Sequence, residues 1–432
     1  MAQQIRPRLQ YGWVIFALSF TNLFVEGGIK NIAPVLYVAL RDSFGWNASA
    51  TSSIFSMVGL VGGLSAPLLG RLLDRWGGRF LFPVGGLLLL LGWGSSSFAA
   101  NLWHLLLFYG VVATIGENSI SSFTTTATLS PWFPRTRGRM LGLADIGNPV
   151  GAVLFLPLAQ WLISTVGWPQ TFRIFGVLFF VLLVPANLLL QRRPPLRTGM
   201  ANPRETPGPC DVPALPTPLP DAPQSVPVRV TPTVTASTRA GALWRQPTVR
   251  FLVLARLLAS LGTHLTSVHL VAFFVSSGYD PMLAASAIAG VGLISVVGRP
   301  LSGALSDVVG RELMYTVGLS MHMSAILLML ALGDGQSLWP ILLFIGLSGL
   351  SDGIAGLVVG AKAGDLFPTT ELGLVMGLVQ MGRGLGMMIG PVLGGLLFDL
   401  HGDYLLAFLL AVGLVTMAIG CMWGVRLTSP QL

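Results

Sequence analysis

One arginine lies inside an apolar segment of this sequence and is well suited to bind an anion. Arg299 is found within AASAIAGVGLISVVGRPLSGALSDVVGR, residues 284–311, eight positions before Asp307. An arginine at the centre of a membrane helix costs about 2.5–3.5 kcal/mol even on the most lenient insertion scale, so it persists where it faces a partner or a water-filled cavity. The alternative, a side chain that reaches the membrane surface, is disfavoured by a separation of about 12 Å from Asp307 at helical rise. We therefore expect Arg299 to bind substrate.

Two further cations lie within apolar runs, and each has a structural alternative. A guanidinium binds both oxygens of a carboxylate, which an ammonium does not. Lys30 follows two glycines, and its alternative role is a helix pair with Glu26 at i, i+4. Arg383 lies among glycines that permit close helix contact, and its alternative is an ion pair with Asp352 or Asp145. We expect both Lys30 and Arg383 to contribute to substrate binding.

Proton coupling would need a carboxylate or histidine that titrates near neutral pH. Burial favours the neutral form of a carboxylic acid, so acidic residues inside apolar runs are candidates. The candidates by position are Glu117, Asp352, Glu26 and Asp145, together with His264 and His269. The sequence singles out none of them, because a buried acid is as often an interhelical lock as a proton carrier.

The composition identifies a polytopic membrane protein. Of 432 residues, 53% are hydrophobic and 10% are charged, far from the charged quarter of a soluble domain. The net charge of +8 does not indicate nucleic-acid binding, because the arginines occupy alternate short loops. Cys210 and Cys421 form neither a disulfide framework nor a metal-ligand pattern. No cofactor, metal or protein partner is indicated.

Twelve apolar runs are long enough to cross about 30 Å of hydrocarbon. They lie near 11–40, 48–70, 80–100, 103–130, 138–165 and 172–191, then near 250–276, 283–306, 313–332, 339–365, 372–398 and 404–425. The first resembles a signal peptide, since Arg6 and Arg8 precede it, but it is long and lacks a clear cleavage site. It is therefore interpreted as the first span.

Charged loops predict the orientation of the chain. Basic residues follow the second, fourth and sixth runs, whereas the loops after the third, seventh, ninth and eleventh runs contain neither lysine nor arginine. By the positive-inside rule both termini are predicted to be cytoplasmic, in a plasma or bacterial inner membrane. Residues 192–248 hold thirteen of the 29 prolines, so we expect a flexible cytoplasmic linker between two bundles, 1–191 and 249–432.

Three motifs recur at nearly constant spacing. Pro67-Leu-Leu-Gly70 with Asp74 returns as Pro300-Leu-Ser-Gly303 with Asp307, an offset of 233 (303 − 70). Trp132-Phe-Pro134 returns as Leu366-Phe-Pro368 (offset 234), and Gly142, Gly147 and Gly151 return as Gly377, Gly382 and Gly386 (offset 235). The repeats predict an all-α membrane protein of twelve helices in two pseudo-symmetric six-helix bundles, with a substrate site between them.

These motifs resemble the major facilitator superfamily. GRLLDRWGGR at 70–79 is similar to its signature loop, and GALSDVVGR at 303–311 to the second copy. The segment PWFPRTRGRMLGLADIGNPVG, residues 131–151, resembles the fifth-helix signature of the monocarboxylate transporters, which carry lactate, pyruvate and related anions with a proton. Tyr11-Gly-Trp13 through Lys30 is a looser match. Arg383 also resembles the eleventh-helix cation of the oxalate:formate exchangers, a related branch.

The resemblance implies roles for individual residues. Gly298-Arg299-Pro300 matches the eighth-helix Arg-Pro that binds the substrate carboxylate, and Lys30 matches a first-helix lysine that handles proton or substrate. Ser295 stands where the family often has an aspartate, so that proton relay is not transferred. The resemblance further implies that the charged loops form a latch on the cytoplasmic side, which favours the outward-open state. The same charges also set the orientation of the chain in the membrane, and the two roles are compatible. The predicted gating residues are Asp74, Arg75, Arg79, Asp307 and Arg311.

The sequence therefore predicts a secondary transporter of small organic anions. Proton-coupled symport of a monocarboxylate such as lactate or pyruvate by alternating access is preferred. One alternative is a strict exchanger of oxalate-like anions that uses Arg299 and Arg383 together, and a more remote one is a membrane sensor without transport. The sequence contains no GxxxxGK[ST] nucleotide-binding loop and no HExxH or GxSxG motif. An enzyme is not expected.

Overall fold

The computed structural model describes residues 6–133, 136–192, 243–332, 337–367 and 369–428. Helices dominate these ranges, and ten of them are long and apolar enough to cross a membrane. One of the ten, residues 139–190, contains two crossings, because Gly167 (φ 80°) interrupts it two residues before Pro169. A further crossing between residues 102 and 132 is divided into short helices. The twelve-helix fold predicted from the sequence is thereby confirmed.

The first half of the chain contains six crossings, which we number spans 1 to 6. Spans 1, 2 and 3 are Arg6–Phe44, Ala48–Trp76 and Gly78–Ser96. Span 4 comprises Leu102–Leu107, the π-helix Phe108–Ala113, Thr114–Ser119, Ser122–Leu129 and the 3-10 turn Ser130–Trp132. Span 5 begins with Arg137–Asp145 and continues in Gly147–Leu190, whose second part is span 6.

The second half contains spans 7 to 12. Span 7 comprises Pro247–Ser267 and Leu270–Ser276, span 8 is Pro281–Val309 and span 9 is Arg311–Leu332. Span 10 comprises Trp339–Ser351 and Ile354–Leu366, span 11 is Thr369–His401 and span 12 is Leu405–Thr428. Span 1 therefore begins, and span 12 ends, at the same side of the bundle. We call this side the terminal side and the other the distal side.

Glycines place the first and fifth helix of each half in close contact. A Cβ atom added to Gly147 would lie 2.6 Å from the carbonyl oxygen of Phe20 in span 1, and one added to Gly386 would lie 2.6 Å from the backbone nitrogen of Leu261 in span 7. Gly142 and Gly377, the first glycines of the two motifs, both face open space. The recurring glycines thus serve the same packing in both halves.

The two halves are joined mainly towards the distal side. Asp399 at the end of span 11 accepts hydrogen bonds from the backbone N–H groups of Ala48 (2.7 Å) and Ser49 (2.8 Å), where span 2 begins. The hydroxyl oxygens of Tyr37 and Tyr404 lie 3.4 Å apart across the same interface. This carboxylate stabilises the N-terminus of a helix that belongs to the other half.

The predicted linker, residues 192–248, lies largely outside the described residues, and so does Cys210. Span 6 ends at Leu190 and span 7 begins at Pro247. The division of the chain at 191 and 249, and the linker's flexibility, stay predictions.

Candidate functional site

Arg299 lies at the interface of the two halves and binds an acid from each. Its Nε and Nη2 donate to Asp352 Oδ2 of span 10 at 3.1 and 2.8 Å. Its Nη1 donates to Asp145 Oδ2 of span 5 at 3.2 Å. The side chain of Arg299 is 30% exposed and those of Asp145 and Asp352 are 41% and 38% exposed. The buried cation predicted from sequence therefore has two carboxylate partners, close to the middle of its span.

A break in span 10 presents Asp352 to this arginine. The first helical segment ends at Ser351, Asp352 is extended (ψ 133°), and Gly353 is left-handed (φ 80°) before helix resumes at Ile354. Glycine is suited to that conformation. It also leaves room for the cation, since a Cβ on Gly353 would lie 3.2 Å from Arg299 Nε. Interrupted helices that expose polar groups at mid-membrane are typical of transporter binding sites.

Polar contacts continue from Asp145 into span 1. The Ser122 hydroxyl lies 3.4 Å from Asp145 Oδ1 and 3.2 Å from Glu26 Oε2, and its single proton is donated to one of them at a time. The backbone N–H of Ser122 also donates to Glu26 Oε2 at 3.1 Å. Glu26 in turn forms an ion pair with Lys30. A chain of contacts therefore links Lys30 to Arg299 and, beyond it, to Asp352.

A cavity of about 90 Å³ adjoins this chain of contacts. Both halves line it: Asn31, Asn148, Pro149 and Ala152 come from the first half, and Ile288, Val291, Gly292, Ser295, Arg299 and Asp352 from the second. A larger cavity of about 240 Å³ lies within the first half and includes Asp145 in its wall. The smaller cavity is the relevant one, because it contains the guanidinium and has polar groups on both sides.

Glu117 and Arg383 lie outside these contacts. Glu117 is 6% exposed, and within the described part of the chain neither residue forms an ion pair. Arg383 interacts electrostatically with Glu26 and Glu117. Asp145 and Asp352, considered from the sequence as partners of Arg383, instead bind Arg299.

The two candidate histidines make backbone contacts. His264 Nδ1 is 2.8 Å from the carbonyl oxygen of Ser260, and His269 Nε2 is 3.0 Å from that of Pro391. The bond of His264 lies within its helix and that of His269 reaches a neighbouring helix, and in the described part of the chain neither ring contacts Arg299.

Three of the predicted gating residues, Arg79, Asp307 and Arg311, make contacts within their own halves. Arg311 binds Asp307 (2.5 Å) and Asp365 (3.0 Å), and Arg79 Nε donates to the carbonyl oxygen of Leu188 at 3.2 Å. The side chain of Asp74 lies outside the described residues, and Arg75 is exposed. The latch stays a prediction.

Sequence reasoning overlooked two residues here. Ser122, which is not among the candidates above, joins Glu26 to Asp145 through its hydroxyl. Arg256 lies in the interior of span 7, against Gly356 of span 10. A charged residue within an apolar run was the available signal for it.

The fold and site define a polytopic membrane transporter: two six-helix halves enclose a charged cavity that both of them line. A family model described as Major Facilitator Superfamily matches residues 15–323 and 252–431 of this chain. The chain belongs to the major facilitator superfamily.

Curated relatives support the more specific resemblance. Monocarboxylate transporter 13 of Rattus norvegicus is 27% identical over 410 residues, which cover 93% of this chain and 86% of that protein. Monocarboxylate transporter 11 of Homo sapiens is 27% identical over 412 residues, covering 94% and 81%. The predicted resemblance to the monocarboxylate transporter family is confirmed.

Solved structures show the same fold at low sequence identity. A mutant of the nucleoside transporter NupG aligns with a TM-score of 0.70 and 14% identity, covering 96% of this chain and 99% of that one. A bacterial homolog of the human lysosomal transporter Spinster, in an inward-facing and unoccupied conformation, aligns with a TM-score of 0.63 and 13% identity, covering 98% and 95%.

Proposed function

We propose that this protein carries a small monocarboxylate, such as lactate or pyruvate, across the membrane together with a proton. The observation that carries the proposal is that Arg299 is bound by one acid from each half, Asp145 and Asp352. The names of the relatives, monocarboxylate transporters, support the same substrate class.

Substrate binding at Arg299 would compete with an internal carboxylate. The guanidinium already makes three hydrogen bonds to acids, so an incoming anion must replace at least one of them. Asp145 is the easier to replace, because it accepts one bond at 3.2 Å whereas Asp352 accepts two. Its replacement removes an ion pair between the halves and so permits them to move relative to each other.

The displaced carboxylate provides a reason for proton coupling. A charged group inside the membrane is costly when it has lost its partner. Protonation of the displaced Asp145 removes that cost, and Ser122 and Glu26 lie next to it as hydrogen-bonding neighbours. One anion bound is then matched by one proton bound. In this scheme Lys30 stays paired with Glu26.

Uptake by proteoliposomes tests the proposal. We expect labelled L-lactate to accumulate under an inside-alkaline pH gradient, and a protonophore to abolish the accumulation. Arg299→Gln should remove uptake, whereas Arg250→Gln, at an exposed position near the start of span 7, should retain it. Lactate uptake that is absent from the wild-type protein, or that survives loss of the Arg299 charge, would contradict the proposal.

Exchange of oxalate-like anions is a second candidate, favoured by one observation. Arg383 has no ion-pair partner among the described residues, so it is available to bind a second carboxylate group together with Arg299. Uptake that requires vesicles preloaded with oxalate or formate, and is insensitive to a protonophore, would favour this candidate.

By the positive-inside rule, we also propose cytoplasmic termini in a plasma or bacterial inner membrane.

A further inference from the structure

Besides Arg299, the second half contains two arginines in the middle of its spans: Arg383, which motif matching singled out, and Arg256, which it did not. Arg256 lies nine residues after Pro247, where span 7 begins, which is about 14 Å at helical rise. Arg383 lies in the middle of span 11, which packs along span 7. The two arginines lie on facing parts of these helices, since a Cβ on Gly382, next to Arg383, would lie 3.4 Å from the Cβ of Leu257, next to Arg256.

Neither member of this pair has a carboxylate partner among the described residues. Elsewhere in the same part of the structure, Arg299, Lys30, Arg311 and Lys362 all form ion pairs. Glu117 and Glu26 attract Arg383, but from beyond ion-pair distance. A charged group inside the membrane is costly without a direct partner, and among the described residues neither arginine contacts a carboxylate.

The internal repeat shows that these charges are specific to the second half. At the offsets of the recurring motifs, Arg256 corresponds to Asn22 (256 − 22 = 234) and Arg383 to Asn148 (383 − 148 = 235). Asn22 is fully buried and pairs with Asn187, whose side-chain nitrogen donates to it at 2.9 Å. The first half thus satisfies a neutral amide at the position where the second half has a cation without such a partner.

The break in span 10 brings Arg256 close to the candidate site. A Cβ on Gly356 would lie 3.0 Å from Arg256 Nη2, and one on Gly353, three residues earlier, would lie 3.2 Å from Arg299 Nε. Both guanidinium groups therefore lie against the start of the helical segment Ile354–Leu366. Its first residues contribute a partial positive charge, and Gly353 provides no side-chain cap. The positive charge of this arrangement favours binding of an anion where spans 7, 10 and 11 meet.

We propose that Arg256 and Arg383 form a second carboxylate-binding station, which holds the transported anion when Arg299 is bound by Asp145 and Asp352. The inference rests on the function proposed above and extends it from one site to two. In the conformation described here the acids occupy Arg299, so the second station is the one available to substrate. A carboxylate would pass between the stations along the broken part of span 10.

Kinetics of labelled L-lactate uptake by the full-length protein in proteoliposomes test the second station. Arg256→Gln should raise the KM for lactate at least tenfold with a smaller change in kcat, because a guanidinium that binds the anion directly is lost. Arg256→Lys should recover part of the affinity, since the charge remains but not the two-pronged geometry. Arg250→Gln, an exposed arginine on the same helix, is the matched control and should leave KM unchanged.

The two arginines should also act on the same ligand. We expect the increase in KM for the double variant Arg256→Gln, Arg383→Gln to be smaller than the product of the single increases, because contacts to a shared group are not independent. A multiplicative effect would show separate roles and contradict the shared station.

The outcomes separate this inference from the proposed function. Wild-type uptake with an unchanged KM in folded Arg256→Gln overturns the second station alone. Absence of wild-type uptake overturns both proposals. If Arg256→Gln does not fold, as judged by size-exclusion chromatography, Arg256→Lys decides: a KM at least threefold above wild type supports the station, and an unchanged KM refutes it.

Discussion

Replacing Asp145 by asparagine should make the transporter bind its substrate more tightly. Asp145 accepts one hydrogen bond from Arg299 at 3.2 Å, and both side chains are partly exposed. A hydrogen bond to a charged group contributes about 1.5–3 kcal/mol, and partial exposure places this one at or below the lower limit. About 1.4 kcal/mol corresponds to a factor of ten in affinity. If lactate must displace Asp145, Asp145→Asn should lower its Kd about tenfold.

The same substitution should reduce the dependence of binding on pH. An asparagine cannot take up the proton that the displaced aspartate is proposed to bind. We expect Kd to be nearly constant between acidic and neutral pH in the variant, while wild-type binding weakens as pH rises. Arg299 keeps both hydrogen bonds to Asp352, so its orientation should be preserved.

Binding of labelled L-lactate to purified protein, measured by scintillation proximity at two pH values, is the appropriate assay. Asp42→Asn, at an exposed position near the distal end of span 1, is the matched control. Weaker binding in Asp145→Asn would refute the competition argument, because it would show that Asp145 helps to hold the anion or to orient Arg299.

Three further predictions concern the proton, the distal closure and helix packing. Glu117→Gln should keep accumulation driven by a pH gradient, because Asp145 is proposed to carry the proton and Glu117 lies outside its contacts; loss of accumulation in this variant would contradict that assignment. Asp399→Asn weakens two hydrogen bonds to the start of span 2, so amide hydrogen exchange should rise there; unchanged protection would exclude this contact as a closure. Gly151→Ala should lower the melting temperature, because its Cβ would collide with backbone of span 1, whereas Gly142→Ala faces open space; equal melting temperatures would contradict this packing.

The fold could be predicted from the sequence because apolar runs and glycine motifs recur along it at regular spacing. Twelve apolar runs set the number of crossings, and the offset between repeated glycines set the correspondence of the halves. The close contacts of Gly147 and Gly386, and the open surroundings of Gly142 and Gly377, follow from that correspondence. A chain of this kind must satisfy its backbone within each helix, so the architecture leaves few alternatives once the runs are known.

The site was predicted less completely because its contacts are long-range. The identity of Arg299 followed from the cost of a charge in an apolar run, but its partners are 154 and 53 positions away in the chain. No local spacing encodes those distances. The interruption of span 10 had a signal, since Asp352-Gly353 is a turn dipeptide inside an apolar run.

The division of span 4 into short helices has a local cause. Thr124 and Thr125 donate through their hydroxyls to the carbonyl oxygens of Ser119 and Ile120, five residues back. These bonds satisfy carbonyls that would otherwise accept from the next helical turn. The resulting backbone geometry of this hydroxyl-rich segment places Ser122 beside Glu26.

The balance of charge inside the membrane distinguishes the two candidate functions. Among the described residues more than two helical turns from the end of a span, the cations are Lys30, Arg256, Arg299 and Arg383, and the carboxylates are Glu26, Glu117, Asp145 and Asp352. Their formal charges cancel (4 − 4 = 0). An added monocarboxylate leaves this interior with a net charge of −1, and one added proton restores neutrality. A dianion exchanger would instead require an interior surplus of positive charge. Since charge in the membrane interior is costly, the observed balance favours symport of one anion with one proton, which is electroneutral.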